Sequence, residues 1–250
     1  MTDQQRHLRI EPSPKRIRGF HGGELVVDST EVQLVWEIPY FPWWYFPLAD
    51  VRAELRENGG VLRSPQRGPG TRYDLVLEDG SVIADAAWRH VDSPVEELRD
   101  LLRIDFEAVE SWFEEDVEVA IHPRAPDVRV DALRSSRHVR VLVDGEVIAD
   151  SIRPVLLFET GLPTRYYLPK TDVRMDLLAP TDSRTGCPYK GFARYWNVVV
   201  GDEVHEDLAW SYPTPLPEAQ PVAGLVCFYN ERVDLEVDGV ALERPKTKFS

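Results

Sequence analysis

Residues 185–196 read TGCPYKGFARYW and bring a thiol, an ammonium, a guanidinium, two phenols and an indole into one short stretch. Two chemistries suit that set. Cys187 lies three residues before Lys190, and a nearby ammonium favours the thiolate, the nucleophilic form of cysteine. The other reading of an unpaired cysteine is a small buried apolar side chain. Lys190 stands in a Pro-Tyr-Lys-Gly turn, where backbone N–H groups can join its ammonium around an anion; a solvated lysine is the alternative. A Cys–His catalytic pair would need His138 or His205 brought to Cys187 by the fold, since neither is near it in the chain.

The elements that would carry this stretch occur twice. Residues 23–55 match residues 145–177 without a gap at a shift of 122, with Gly23/Gly145, Asp28/Asp150, Glu37/Glu159, Tyr45/Tyr167 and Arg52/Arg174 identical. The same shift aligns Tyr73/Tyr195, Asp85/Asp207, Trp88/Trp210 and Phe106/Phe228. One register held over so long a stretch means an internal duplication. The expected organisation is a first domain over 15–124, a linker over 125–137 and a second domain over 138–245, packed about a pseudo-two-fold axis because similar faces can meet. SPQRGPG at 64–70 stands where GCPYKGF stands at 186–192, so only the second copy carries the Cys, Tyr and Lys.

Within each copy the pattern is that of strands and tight turns. HVRVLVDGEVIADS alternates apolar residues around an Asp-Gly pair, the signal of a two-residue hairpin. YDLVLEDGSVIADAAW, YWNVVVGDEVHEDLAW and RVDLEVDGVAL have the same form. The proline-rich SYPTPLPEAQP is incompatible with a helix interior and reads as an extended connector. Two segments read as helices: SPVEELRDLL, with Ser93 as cap and Pro94 at the first position, and DFEAVESWFEED, where Phe106, Val109 and Phe113 share a face.

The net charge of −14 opposes a phosphate backbone, whose binding depends on Lys and Arg releasing counterions, so nucleic acid is set aside. Ten acidic residues against Arg99 and Arg103 between 94 and 118 concentrate that charge in one segment, which reads as a solvated face. No stretch approaches the about 18 apolar residues of a membrane span and the N-terminus lacks an apolar leader segment. The expected location is the cytoplasm, with no membrane partner. Two cysteines without a CxxC pair suggest neither a disulfide framework nor a structural zinc.

The run from CPYKGFARYW through DLAWSYPTPLPEA to GLVCFYNERVDLEVDG, with FEAVESWFEED in the first copy, resembles the domain of unknown function 427 family, bacterial proteins sometimes labelled nucleotidyltransferase-like. The resemblance covers nearly the whole chain as a tandem pair. It implies a small fold of two β-sheets meeting at an angle, related in shape to zinc-bearing β-tent domains, without their zinc ligands, and it implies no established reaction. Phosphoryl transfer calls for a metal held by carboxylates and a cradle for the phosphates. The chain has no glycine-rich phosphate motif, and its adjacent acidic pairs, Glu96/Glu97 and Glu114/Glu115, would point apart on a helix.

The expected fold is therefore mainly β with minor α: two tandem small antiparallel β domains of β-tent-like type. The candidate ligand-binding residues are Tyr167, Cys187, Lys190, Tyr195 and Trp210, around a small-molecule pocket in the second domain, for an anion or another ligand, with any reaction left open. No catalytic residue, metal or cofactor is assigned, and the chain is expected to be a monomer or weak homodimer. Glu159 follows Val155 and Leu157 on one strand face and needs a partner if buried, for which Arg174 or Arg194 would serve; an ion pair is the reading for both Glu37 and Glu159. The competing function is a non-catalytic protein-interaction module using the aromatic loop IPYFPWWYFPLA at 38–49, with a nucleotidyltransferase-like enzyme as a minor alternative.

Overall fold

A computed structural model describes residues 8–247 and 249–250. The chain divides between Ala125 and Pro126 into two compact units, both built of small antiparallel sheets. The first contains β1 (Arg9–Pro12), β2 (Ile17–His21), β3 (Glu24–Ser29), β4 (Gln33–Trp36), β5 (Trp43–Pro47) and β6 (Glu54–Ser64). β7 (Gly68–Val76), β8 (Val82–Arg89), β9 (Leu101–Ile104), β10 (Ser111–Glu114) and β11 (Val117–Glu118) complete it. One sheet runs β1-β4-β5-β9-β8-β7-β6 and the other β11-β10-β2-β3.

The second unit contains β12 (Val130–Arg134), β13 (Val139–Val143), β14 (Glu146–Ser151), β15 (Val155–Glu159), β16 (Arg165–Tyr167) and β17 (Leu178–Cys187). β18 (Gly191–Val200), β19 (Glu203–Ser211), β20 (Cys227–Phe228), β21 (Asp234–Val237) and β22 (Val240–Leu242) follow. Its sheets run β12-β15-β16, β17-β18-β19-β20 and β14-β13-β21-β22. Strand for strand this repeats the first unit, down to the register: Arg9 faces Trp36 as Asp131 faces Phe158, each 122 further on. The repeat thus begins upstream of residue 15, and β12 lies inside the expected linker. The long sheet of the first unit is divided in the second because the three-residue pairing of β5 with β9 is reduced to one bridge, Leu168 with Val226.

Hairpin turns form where small or Asp residues permit positive φ. Asp144 and Gly145 have φ of 51° and 83°, Asp238 and Gly239 54° and 78°, the pair of left-handed conformations a type I′ turn requires and Gly adopts without strain. Each unit then closes by pairing an early strand with a late one: β2 with β10 in the first, β13 with β21 in the second.

Both expected helices are absent. SPVEELRDLL yields a single 3₁₀ turn at Glu96–Leu98 and then the strand β9. Ser93 is buried and its Oγ accepts from the Val95 N–H, without capping a helix. The reason is burial on both faces: all four residues of β9 are buried between β5 and β8, and a strand in that place satisfies its N–H and C=O groups on both sides. Phe113 likewise lies in β10, with Trp112 beside it buried against Trp44, Phe46 and Phe106. The proline-rich connector is not extended throughout; Pro217–Val222 winds into a 3₁₀ segment. Pro217 there occupies a position needing no N–H donor, and the fully buried Ala219 and Val222 anchor the segment in the core.

One aligned pair does not survive. Ala209 and Trp210 face Phe228 and Cys227, while Ala87 and Trp88 face Ile104 and Arg103. Phe228 is therefore the counterpart of Ile104, not of Phe106, and the second copy carries two extra residues between β19 and β20. Among the described residues no helix is long and apolar enough to cross a membrane.

Candidate functional site

Glu37 lies at the end of β4, and three groups hold its carboxylate. The Tyr45 hydroxyl donates to Oε1 at 2.8 Å, Arg103 Nε stands 3.0 Å from the same oxygen, and Arg67 pairs with Oε2. Arg103 is 3% exposed, and its guanidinium lies over the Trp43 and Trp88 rings at 4.3 and 4.1 Å. Burial, opposed by Glu37, draws the Arg103 guanidinium below its ordinary pKa, and burial with the neighbouring Glu37 charge pushes the Tyr45 phenol well up. This is a compact, largely buried ion cluster in which Arg103 Nε faces the carboxylate without a hydrogen bond of good geometry. Arg67 comes from SPQRGPG, so the loop that lost the lysine still supplies a cation.

The second unit adds a carboxylate and arranges its charges as two separate pairs. Position 103 has become Cys227, and the cation that faces the central indole now comes from β16: Arg165 lies 5.6 Å from the Trp210 ring and makes two bonds to Glu231, of 2.7 and 2.8 Å. Although burial opposes it, these bonds and the Thr247 hydroxyl hold the Glu231 carboxyl below its usual range. Glu159 pairs with Lys190. The expected partners are elsewhere: Arg174 binds Asp176 and Glu146, and Arg194 is exposed. An arginine on a neighbouring strand is not needed because the turn after β17 brings Lys190 back over β15.

Of the candidate residues, Tyr167 and Trp210 are core. Tyr167 is 1% exposed, and the Trp210 indole N–H donates to its hydroxyl at 3.1 Å. Lys190 is 9% exposed and committed to Glu159, so its ammonium is not directed at Cys187. Cys187 is half-buried, and its carbonyl accepts from the Lys190 N–H in the turn. His138 and His205 bind Asp150 and Asp144. Burial pushes the Cys227 thiol up to about 12, so it stays protonated near neutral pH. Of the five, Tyr195 lines the larger cleft, with its hydroxyl 2.7 Å from Thr185 Oγ1.

That cleft, of about 490 Å³, is bounded by Ser183, Arg184, Thr185, Tyr195, Asp207, Tyr229, Arg232 and Phe249. Arg184 lies 4.2 Å from the Phe192 ring, and Arg232 donates to the Glu206 carbonyl at 3.1 Å. Asp207 accepts from the Thr181 and Ser183 hydroxyls at 2.7 and 2.6 Å. Its counterpart Asp85 binds Arg72 instead. A second cleft, of about 290 Å³, is bounded by Arg129, Asp131, Phe158, Glu159, Thr160 and Leu162. Alternation along β17 could not have assigned Arg184 to the first cleft, because the register with β18 shifts between Pro180 and Arg184. In the aromatic loop at 38–49, Trp44, Tyr45 and Phe46 are buried in the first unit, leaving Ile38 and Tyr40 exposed. Among the described residues no group of three or more His, Cys, Asp or Glu is placed to hold a metal ion.

Fold and site together define a tandem β-repeat protein in which each copy encloses a carboxylate–cation cluster. The chain belongs to the family described as a domain of unknown function, DUF427, whose model matches residues 9–115 and 131–239. The two matches begin 122 residues apart, the shift of the internal repeat. No curated protein matches the chain.

Proposed function

We propose that the second unit binds a small anionic molecule in the cleft between β17, β18 and the segment that follows β20. The observation that carries this reading is the pair Arg184 and Arg232, which line one cleft with no carboxylate paired to either among the described residues; Asp207, on the same cleft, is taken up by the Thr181 and Ser183 hydroxyls. In a chain of net charge −14 most arginines are spoken for. Ser183 and Thr185 add hydroxyls, and Tyr195, Tyr229 and Phe249 add ring faces. The volume falls within the roughly 300–1,000 Å³ of small-molecule sites, where a few polar groups fix the orientation of a largely apolar wall. The family brings no reaction, and none is assigned. The setting we propose is the bacterial cytoplasm, in keeping with two unpaired cysteines. The interaction reading for residues 38–49 would use Ile38 and Tyr40, the large apolar side chains of that loop that are exposed.

A thermal-shift screen with phosphate, citrate and aromatic carboxylates tests this, since a ligand of the folded state raises its melting temperature by mass action. Lys190→Ala is the wrong control, because it strands Glu159. Arg184→Ser with Arg232→Ser is the right one: the shift is expected to disappear while the unliganded melting temperature holds. A screen in which no anion acts, or in which the double variant responds like the parent, refutes the reading.

A further inference from the structure

The cleft that Arg184 and Arg232 share has a second kind of wall. Tyr229 and Phe249 place their rings there, with centroids 5.9 Å apart and planes at 41°. Phe249 is 36% exposed, and polar contacts hold the segment that carries it. The Thr247 hydroxyl donates to Glu231 Oε1 at 2.6 Å, and its oxygen accepts from the Phe249 N–H at 3.0 Å. Glu231 is also the carboxylate that holds Arg165, whose guanidinium lies 5.8 Å from the Tyr229 ring and 5.7 Å from the Phe249 ring. One buried carboxylate thus orients both the ring-bearing segment and the cation behind the rings.

That arrangement has an electrostatic consequence. The face of an aromatic ring is negative and repels an anion, whereas a guanidinium against one face draws on that density. Arg165 is buried and so lies on the core side, which leaves the cleft side of the rings less negative. At the other wall, the Phe192 ring at 4.2 Å steadies the Arg184 guanidinium without taking up an N–H, and Arg232 spends one nitrogen on the Glu206 carbonyl. Of the five N–H donors on each guanidinium, most remain for a ligand. A bare inorganic anion would engage these arginines and leave the rings unused. We infer that the cleft takes an aromatic anion, a planar ring carrying a phosphate or carboxylate, with the charged group between Arg184 and Arg232 and the ring stacked on Phe249. This inference rests on the anion-binding reading and narrows it to a class of ligand. The volume of about 490 Å³ admits a ring together with its charged group.

The test is a calorimetric titration of the whole chain with phenyl phosphate, cyclohexyl phosphate and inorganic phosphate. Phenyl phosphate should bind at least tenfold tighter than inorganic phosphate. It should also bind at least threefold tighter than cyclohexyl phosphate, which has the same charge and nearly the same bulk but no π system. Phe249→Leu keeps an apolar side chain and should abolish the preference for phenyl over cyclohexyl phosphate, with inorganic phosphate unaffected; a merely structural role would weaken all three alike. Equal binding of the phenyl and cyclohexyl esters, a preference that survives Phe249→Leu, or uniform weakening would overturn the aromatic inference and leave the anion site standing. No binding by any of the three, or phenyl phosphate binding that persists in Arg184→Ser with Arg232→Ser, would overturn both.

Discussion

Glu37 and Glu159 occupy one position in two copies of the same unit and are held in different ways. Glu37 has two guanidiniums and a phenol, so losing one leaves it satisfied. Glu159 has one ammonium, and the second unit spends its buried arginine on Glu231 instead. A duplicated carboxylate can thus be held by two guanidiniums and a phenol in one copy and by a single ammonium in the other, with few substitutions between them. What decides is how many donors reach each oxygen.

The sharpest way to break this comparison is Arg165→Met. It leaves Glu231, whose side chain has no exposed surface, as an uncompensated buried charge, at a cost of about 3–5 kcal/mol in urea unfolding. Adding Glu231→Met should restore most of it. Lys190→Met comes next, with an expected loss of about 1.5–3 kcal/mol, the range for a hydrogen bond to a charged group. Arg67→Met in the first unit should lose less, because Arg103 and Tyr45 remain. Equal losses would show that Glu37 is not redundantly held.

A packing exchange offers a similar contrast. Gly19 faces Trp112 where Val141 faces Leu235, and a Cβ at Gly19 would come 2.7 Å from the Trp112 ring. Gly19→Val is expected to cost about 1–3 kcal/mol by overpacking, with part of the loss recovered when Trp112→Leu is added. Simple additivity of the two changes, measured as a double-mutant cycle, would contradict it.

The acid side separates the copies more gently. Asp172 is held well below the usual carboxylate range by bonds from Arg153, working against burial, with the Ser151 and Thr171 hydroxyls assisting. A carboxyl lowered in the folded state adds stability that is complete above its unfolded value, about 3.9, and is lost as pH falls through the folded value. The Asp172 carboxyl resonance should therefore keep its ionised position below pH 4, and Arg153→Ala should move both its midpoint and the acid-unfolding midpoint upward. In the first unit Glu31 stands where Arg153 stands, and among the described residues Asp50 accepts from the Ser29 hydroxyl. Glu31→Arg would transplant the clamp, for a gain of up to about 0.5 kcal/mol; a loss of stability would mean that the copies differ there in more than charge.

The duplication was legible because strand order and turn chemistry are local and repeat at one interval. Asp-Gly pairs marked hairpins for the same reason, since the turn residues carry their own conformational preference. β9 was not legible: a cap, a proline and acidic residues form a helix signal, and only burial between two strands overrides it. Phe106/Phe228 matched by residue type across an insertion that sits in a proline-rich connector, where no periodicity records it. The partners of Glu159 and Arg165 were beyond reach, because Arg165 meets Glu231 across 66 positions. Arg184 was hidden by the bulge in β17, and Arg232 lies in a turn between β20 and β21, where no alternation places it.

The pairing of β2 with β10 and of β13 with β21 bears on how the chain is made. Neither second sheet can close until almost an entire copy has been synthesised, because its middle strand waits for a neighbour encoded nearly a hundred residues later. Such distant partners slow folding and prolong the exposure of apolar edges. Since the copies follow one another, the earlier can finish while the later is still emerging from the ribosome, which keeps two sets of similarly patterned strands from competing for the same mates.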